Sequence, residues 1–222
     1  LDSNECEYIE TITVVEPQDI SLNSTISNLK CFEDESGSID ISISGGTPIF
    51  SVTWDGPNGF NSNDFNVDSL ISGTYNVLIR DNNLCEHNES FFVDEPDILD
   101  ISSNNQNVDC FGSSTGEIDL VVQGGTEPYF YSWSNLSNQE DLTDIPSGFY
   151  NVNVVDDNSC SISYSTLIEQ PSQIVITNID STNLSCNNIA NGEILISVIG
   201  GSPEYSYSID GGYSNQSSNL FA

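Results

Sequence analysis

Gly116-Glu117-Ile118-Asp119-Leu120-Val121-Val122 runs through Gln123 into Gly124-Gly125-Thr126-Glu127-Pro128-Tyr129-Phe130-Tyr131-Ser132-Trp133, and the reading of this stretch decides the fold. In the first half Ile118, Leu120 and Val122 alternate with other residues, the period of a strand with one buried face. The glycine pair is turn chemistry. Beyond it Tyr129, Tyr131 and Trp133 share one face and Phe130 and Ser132 the other, so a second strand follows. No helical period interrupts the pattern.

The same stretch occurs three times. Gly37-Ser38-Ile39-Asp40-Ile41-Ser42-Ile43 leads to Gly45-Gly46, and Gly192-Glu193-Ile194-Leu195-Ile196-Ser197-Val198 leads to Gly200-Gly201, so the glycine pairs recur after 79 and 76 residues. The aromatic strand recurs as Phe50, Val52, Trp54 and as Tyr205, Tyr207, Ile209. Cys31, Cys110 and Cys186 precede the alternating runs. Ser72-Gly73-Thr74-Tyr75 matches Ser147-Gly148-Phe149-Tyr150. An Asp-x-Asn turn precedes a cysteine at Asp2/Cys6, Asp81/Cys85 and Asp156/Cys160, and Glu16-Pro17, Glu95-Pro96 and Gln170-Pro171 close each unit. Such self-similarity marks an array of folded repeats.

About seven short strands per repeat, without helix periodicity, predict an all-β chain of tandem immunoglobulin-like β-sandwich repeats in a rod-like array. Trp54 and Trp133 take the place of the buried tryptophan on a sandwich's third strand. The phase predicts residues 1–16 as the C-terminal end of a preceding repeat, 17–95 and 96–170 as complete repeats, and 171–222 as a truncated one. That phasing is expected of a piece of a longer secreted chain. The first residues, Leu1-Asp2-Ser3-Asn4-Glu5, do not have the pattern of a signal peptide.

Charge excludes whole classes of function. Thirty-four acidic residues face two basic ones, Lys30 and Arg80, for a net charge of −32. Nucleic-acid binding and docking on anionic lipid both need the cations this chain lacks, and no apolar run approaches the length of a membrane span. One histidine, His87, leaves little for imidazole catalysis. His87 corresponds to Ile162 in the next repeat and so stands outside the repeated design. No pair of carboxylates is singled out for glycoside chemistry. No enzymatic activity is expected.

The ensemble of Cys, Gly-x-Ile, Gly-Gly-Thr-x-Pro-Tyr-x-Tyr-Ser-Trp, Gly-x-Tyr, Asp-x-Asn-x-Cys and Glu-Pro resembles the SprB repeat of Bacteroidota cell-surface proteins. The best stretch is Gly124–Trp133, and the resemblance covers essentially the whole chain. Departures are Ile209 in place of the tryptophan and Ile49-Phe50 in place of Pro-Tyr; neither is expected to disturb the apolar face. The resemblance implies a very long extracellular adhesin filament at the cell surface, outer-membrane-anchored, exported by the type IX secretion system and used in gliding motility. Its implied partners are neighbouring repeats of the same chain, the secretion and gliding machinery, and surface polysaccharide. Spacer repeats that extend and stiffen the fibre are the first expectation. Repeats that are each weak carbohydrate- or surface-binding modules acting by avidity are the alternative.

Six cysteines in an acidic, Ser/Asn/Thr-rich chain favour an oxidising compartment and structural disulfides at Cys6, Cys31, Cys85, Cys110, Cys160 and Cys186. Pairing within a repeat would give Cys31–Cys85 and Cys110–Cys160. Topology opposes it. Cys110 lies 14 residues from both Pro96 and Gly124, at the tip of a hairpin roughly 40 Å from its ends, while the turn holding Cys160 belongs at the other end of a sandwich. Pairing across a repeat boundary would join Cys31 to Cys160, with Cys6 and Cys85 turned to an earlier repeat and Cys110 to a later one. Free or zinc-bound thiols are the third alternative.

Asp81, Asp156 and Asp157 are the candidate calcium ligands, since Asp-x-Asn turns cluster oxygens. The same residues are ordinary hairpin-turn chemistry, no calcium-loop signature accompanies them, and no cofactor is expected. Asp68-Ser69-Leu70 and Asp180-Ser181-Thr182 fit the short pattern that Bacteroidota use for O-glycosylation, which makes Ser69 and Ser181 candidate attachment sites. The aromatic strand is expected to serve the core; its opposite face, Phe130 above all, is the surface candidate for a ligand.

Overall fold

The computed structural model describes residues 4, 6–187 and 189–222. Asp2, first of the recurring turn aspartates, lies outside them. The chain divides into two compact units, Leu1–Ile98 and Leu99–Ala222. Among the described residues there is no α-helix, and no helix is long and apolar enough to cross a membrane.

The first repeat has seven strands: β1 (Ser21–Ser27), β2 (Gly37–Ser44), β3 (Ser51–Asp55), β4 (Asn61–Ser62), β5 (Val67–Leu70), β6 (Gly73–Arg80) and β7 (Glu86–Val93). They form two antiparallel sheets, β1-β2-β5 and β4-β3-β6-β7. The second repeat repeats the order with β8 (Asp100–Gln106), β9 (Gly116–Gln123), β10 (Phe130–Trp133), β11 (Leu142–Ile145), β12 (Gly148–Val155) and β13 (Ser161–Ile168), in sheets β11-β9-β8 and β10-β12-β13. Only the small β4 has no counterpart. Both of these repeats are immunoglobulin-like sandwiches.

Alternation produces the two cores. In β2, Ile39 and Ile41 turn inward while Asp40 and Ser42 turn out; in β6, Tyr75, Val77 and Ile79 turn inward. With Trp54, Leu70 and Val93 they form one cluster. Ile118, Leu120, Trp133, Tyr150, Val152, Val154 and Ile168 form its counterpart. Burying such side chains stabilises by roughly 1.5–3 kcal/mol each, the main force holding units of this size together.

The third repeat provides β14 (Val175–Thr182), β15 (Glu193–Ile199) and β16 (Leu220–Phe221) in one sheet, with an isolated bridge between Tyr207 and Gln216. Ile209, expected on the apolar face, is 57% exposed. Among the described residues of this repeat no second sheet covers it. Residues 6–20 form no strand, and Tyr8, Ile12 and Val14 in that segment are exposed.

Candidate functional site

The recurring motifs converge on one structural element. The glycine pair closes β2 with both residues left-handed, Gly45 at φ 70° and Gly46 at φ 58°, and Gly124/Gly125 and Gly200/Gly201 repeat this. A side chain on Gly45 would meet the carbonyl oxygen of Asp19, so the turn needs glycine for space as well as for backbone freedom. Gly46 N–H donates to Gln18 O at 2.8 Å, and Gly201 N–H to Ser172 O at 2.7 Å. Tyr129 and Tyr205 donate their hydroxyls to the carbonyls of Gly124 and Gly200. In the first repeat Phe50 takes that place and packs against the core without a hydroxyl.

Against this loop sits the Asp-x-Asn turn. The Asp81 carboxylate is buried, and each of its oxygens accepts backbone N–H groups: Thr47 to Oδ2 at 2.9 Å, Asn83 and Cys85 to Oδ1 at 2.8 and 2.9 Å. The Asn83 side-chain amide donates to Thr47 Oγ1 at 3.0 Å, and Asn82 N–H to Thr47 O at 3.0 Å. The second repeat copies the arrangement. Asp156 accepts from Thr126 N–H and Cys160 N–H at 2.9 and 2.8 Å, Asn158 donates to Thr126 Oγ1 at 3.0 Å, and Asp157 N–H donates to Thr126 O at 2.9 Å. Burial alone would push the Asp81 carboxyl up, but the donors of Thr47, Cys85 and Asn83 outweigh it and hold it below the ordinary carboxylate range. The amides supply the positive poles that a calcium ion would otherwise provide. Asp157, the remaining calcium candidate, is exposed.

Two further motifs are also structural. Tyr75 and Tyr150 donate to the carbonyls of Ile71 and Pro146, four residues upstream, at 3.0 and 2.8 Å, which is the tyrosine corner of immunoglobulin-like sandwiches. Trp54 and Trp133 are buried and donate from Nε1 to Asp64 O at 2.9 Å and Gln139 O at 2.8 Å.

The cysteine loops are anchored the same way in each repeat. The residue three positions on donates its N–H to the cysteine carbonyl: Asp34 to Cys31 at 3.3 Å, Ser113 to Cys110 at 3.1 Å, Ile189 to Cys186 at 3.3 Å. The side chain before the closing proline grips the loop, Glu95 Oε2 accepting from Glu33 N–H and Gln170 Oε1 from Gly112 N–H, both at 2.8 Å. Leu29 N–H donates to Asp94 O and Val108 N–H to Glu169 O, each at 2.9 Å. The loop with Cys31 therefore sits at the exit of β7, and Cys85 stands at its entry. Eight residues of strand separate the two by about 26 Å, against the ~4.4–6.8 Å between Cα atoms that a disulfide spans. A Cys31–Cys85 bridge is excluded. Cys31 and Cys160 are disulfide-bonded; Cys85, Cys110 and Cys186 are exposed thiols, and Cys6 is exposed.

The other candidates are dispersed. Ser69 lies on β5 at φ 55°, its hydroxyl donating to Asp68 Oδ1 at 3.1 Å; Ser181 lies exposed on β14. His87 is half-buried beside Glu89 at 3.4 Å, and among the described residues no nucleophile is paired to it. Among the described residues no group of three His, Cys, Asp or Glu is placed to hold a metal. Sequence reasoning missed the anchoring role of Glu95 and Gln170, although the recurrence of Glu/Gln-Pro marked the position.

No curated protein sequence matches the chain. Among solved structures, a C-terminal 282-residue fragment of intimin, in complex with the intimin-binding domain of the translocated intimin receptor, is similar at 14% identity and a TM-score of 0.37, over 73% of this chain and 67% of that one. The two-immunoglobulin-domain Dpr2 structure in complex with DIP-Theta is similar at 11% identity and a TM-score of 0.31, over 72% and 70%. A Dscam structure is similar at 13% identity and a TM-score of 0.30, over 70% and 47%. The family model of the SprB repeat matches residues 23–59, 102–138 and 178–213, so each match spans the cysteine loop, the alternating strand and the glycine pair of one repeat, and the chain belongs to the SprB repeat family.

Proposed function

We propose that these repeats are spacer units of a long secreted cell-surface adhesin filament, anchored at the outer membrane, exported by the type IX secretion system and used for gliding and surface attachment. The observation that carries this reading is that the recurring polar motifs close hydrogen bonds inside the fold. The turn aspartates bind their own backbone, the tyrosines and tryptophans bind carbonyls, and the Glu/Gln before proline binds the cysteine loop. A repeated binding or catalytic site would instead leave recurring polar groups unpaired at the surface. The net charge of −32 keeps a long fibre soluble and repels other polyanions within a Debye length, about 10 Å at 0.1 M salt. In this reading Cys31 is expected to pair with Cys160. In-frame removal of whole repeats from the parent protein tests the function. Fibre length and gliding are expected to fall with repeat number while binding per fibre is unchanged; loss of binding in proportion to repeats overturns the spacer role.

A second reading is favoured by the outer face of β10-β12-β13. Phe130, Ser132, Phe149, Asn151, Asn153, Ser163, Ser165 and Leu167 point outward there, none of them charged in a strongly acidic chain. Phe130 and Phe149 are 59% and 76% exposed, and Ser163 and Ser165 donate to Asn153 and Asn151. An aromatic surface beside amides and hydroxyls suits a neutral polysaccharide. Adhesion of two-repeat and six-repeat chains to a polysaccharide panel discriminates: a steep rise with repeat number supports this reading, and no binding by either chain dismisses it.

A further inference from the structure

We propose that the open cleft at the leading end of the first repeat is a socket for the cysteine loop of a preceding repeat, and that Cys85 closes a disulfide to that loop. The proposal rests on the chain being a segment of a tandem filament. The cleft has a volume of about 560 Å³, and Pro17, Ile20, Gly46, Asp81 and Cys85 are among its walls. The Cys85 thiol is exposed.

A corresponding cleft lies one repeat further on, and a cysteine loop borders it. At the leading end of the third repeat a cleft of about 420 Å³ has Pro171, Ile174 and Gly201 in the places of Pro17, Ile20 and Gly46. There the opposite wall is Asp109, Cys110 and Phe111, the cysteine loop of the second repeat. Three walls of the two clefts correspond, and in the third repeat a Cys-Phe turn borders the cleft beside them. Cys31-Phe32 and Cys110-Phe111 are both turns of this kind, and both are held at the trailing end of their repeat by Glu95 and Gln170. Cys31 and Cys110 thus stand in loops at the trailing end of their repeats, and Cys85 and Cys160 in turns at the leading end. Of the two oxidised cysteines, Cys31 is in a trailing-end loop and Cys160 in a leading-end turn.

The occupant is thus another repeat of this family, presenting its cysteine loop. Two thiols lose two protons and two electrons to a small-molecule disulfide such as oxidised glutathione, which is reduced to two thiols, and one sulfur–sulfur bond forms between the repeats.

Incubating the purified 222-residue chain in a glutathione redox buffer and mapping its covalent dimers without reduction tests this. Links from Cys85 of one copy to Cys186 or Cys110 of another are expected to exceed the symmetric Cys85–Cys85 and Cys186–Cys186 links by about tenfold, because docking raises the local concentration of the correct pair. Cys85→Ser, a change at an exposed position, is expected to remove the asymmetric dimers and leave the fold's circular dichroism unchanged. Symmetric and asymmetric links in statistical proportion, or Cys85 recovered only as its glutathione adduct, overturn the socket. Either of those results alongside a fibre that still shortens with repeat deletion rejects the socket and leaves the filament standing. A fibre indifferent to repeat number rejects the filament itself.

Discussion

The hydroxyl of Tyr75 donates to the carbonyl oxygen of Ile71 at 3.0 Å, bridging the start of β6 to the loop that precedes it. Tyr150 and Pro146 stand in the same relation at 2.8 Å. Removing the hydroxyl leaves the carbonyl without its partner while preserving the ring's packing. Tyr75→Phe and Tyr150→Phe are each expected to lose about 0.5–1.5 kcal/mol, read as a lowered urea midpoint with an unchanged slope.

Asp81 makes stability depend on acid. Its folded pKa lies below the unfolded value of about 3.9, so the ionised form is the one the fold favours. The contribution is complete above that value and is lost as the pH falls through the folded pKa. Asp81→Asn is expected to be less stable at neutral pH and to show a flatter loss of stability below about pH 4, measured by thermal melts in an acid series.

At the alkaline end Tyr131 works in the other sense. Burial, then the neighbouring Glu140, raises its pKa to about 12. The neutral form is favoured in the fold, so its contribution is intact below the unfolded value of about 10 and disappears as the pH rises toward about 12. Tyr131→Phe is expected to flatten the alkaline loss of stability, and its ultraviolet titration to lack the latest-ionising phenol.

Gly45 tests the loop. Alanine there adds the left-handed backbone cost of about 1–2 kcal/mol to a collision with the Asp19 carbonyl. Gly45→Ala is expected to lose at least that much by chemical denaturation, whereas Gly59→Ala, whose site is open, loses no more than the backbone cost.

A non-reducing peptide map is expected to return the Cys31 peptide joined to the Cys160 peptide. A Cys110–Cys160 peptide would refute the proposed pairing. Adding a chelator is expected to leave the melting temperature unchanged, because the Asp81 oxygens face amide hydrogens.

The strands were legible because alternation is a local property: Ile39 and Ile41, or Val152 and Val154, announce a buried face within a few residues. The glycine pairs and the two tryptophans were equally plain. Asp81 was harder. A buried carboxylate ringed by amides and a calcium ligand use the same residue in the same turn, and only the positions of Thr47, Asn83 and Cys85 separate them. Ile209 misled because a strand's inward face is buried only when another sheet lies over it. Glu95 escaped notice because its acceptor role depends on Glu33, 62 residues away. Cysteine pairing is long-range in the same sense, and sequence order offered three answers.

The aspartate lock draws its parts from close by: Thr47 and Asp81 are 34 positions apart, Thr126 and Asp156 only 30. Each of the first two repeats carries a complete set. Unequal crossing-over between the genes of such an array, adding or deleting a whole period, would leave every remaining lock intact. The segment that heredity can duplicate is the segment that folds, and the length of the fibre is open to variation at little structural risk.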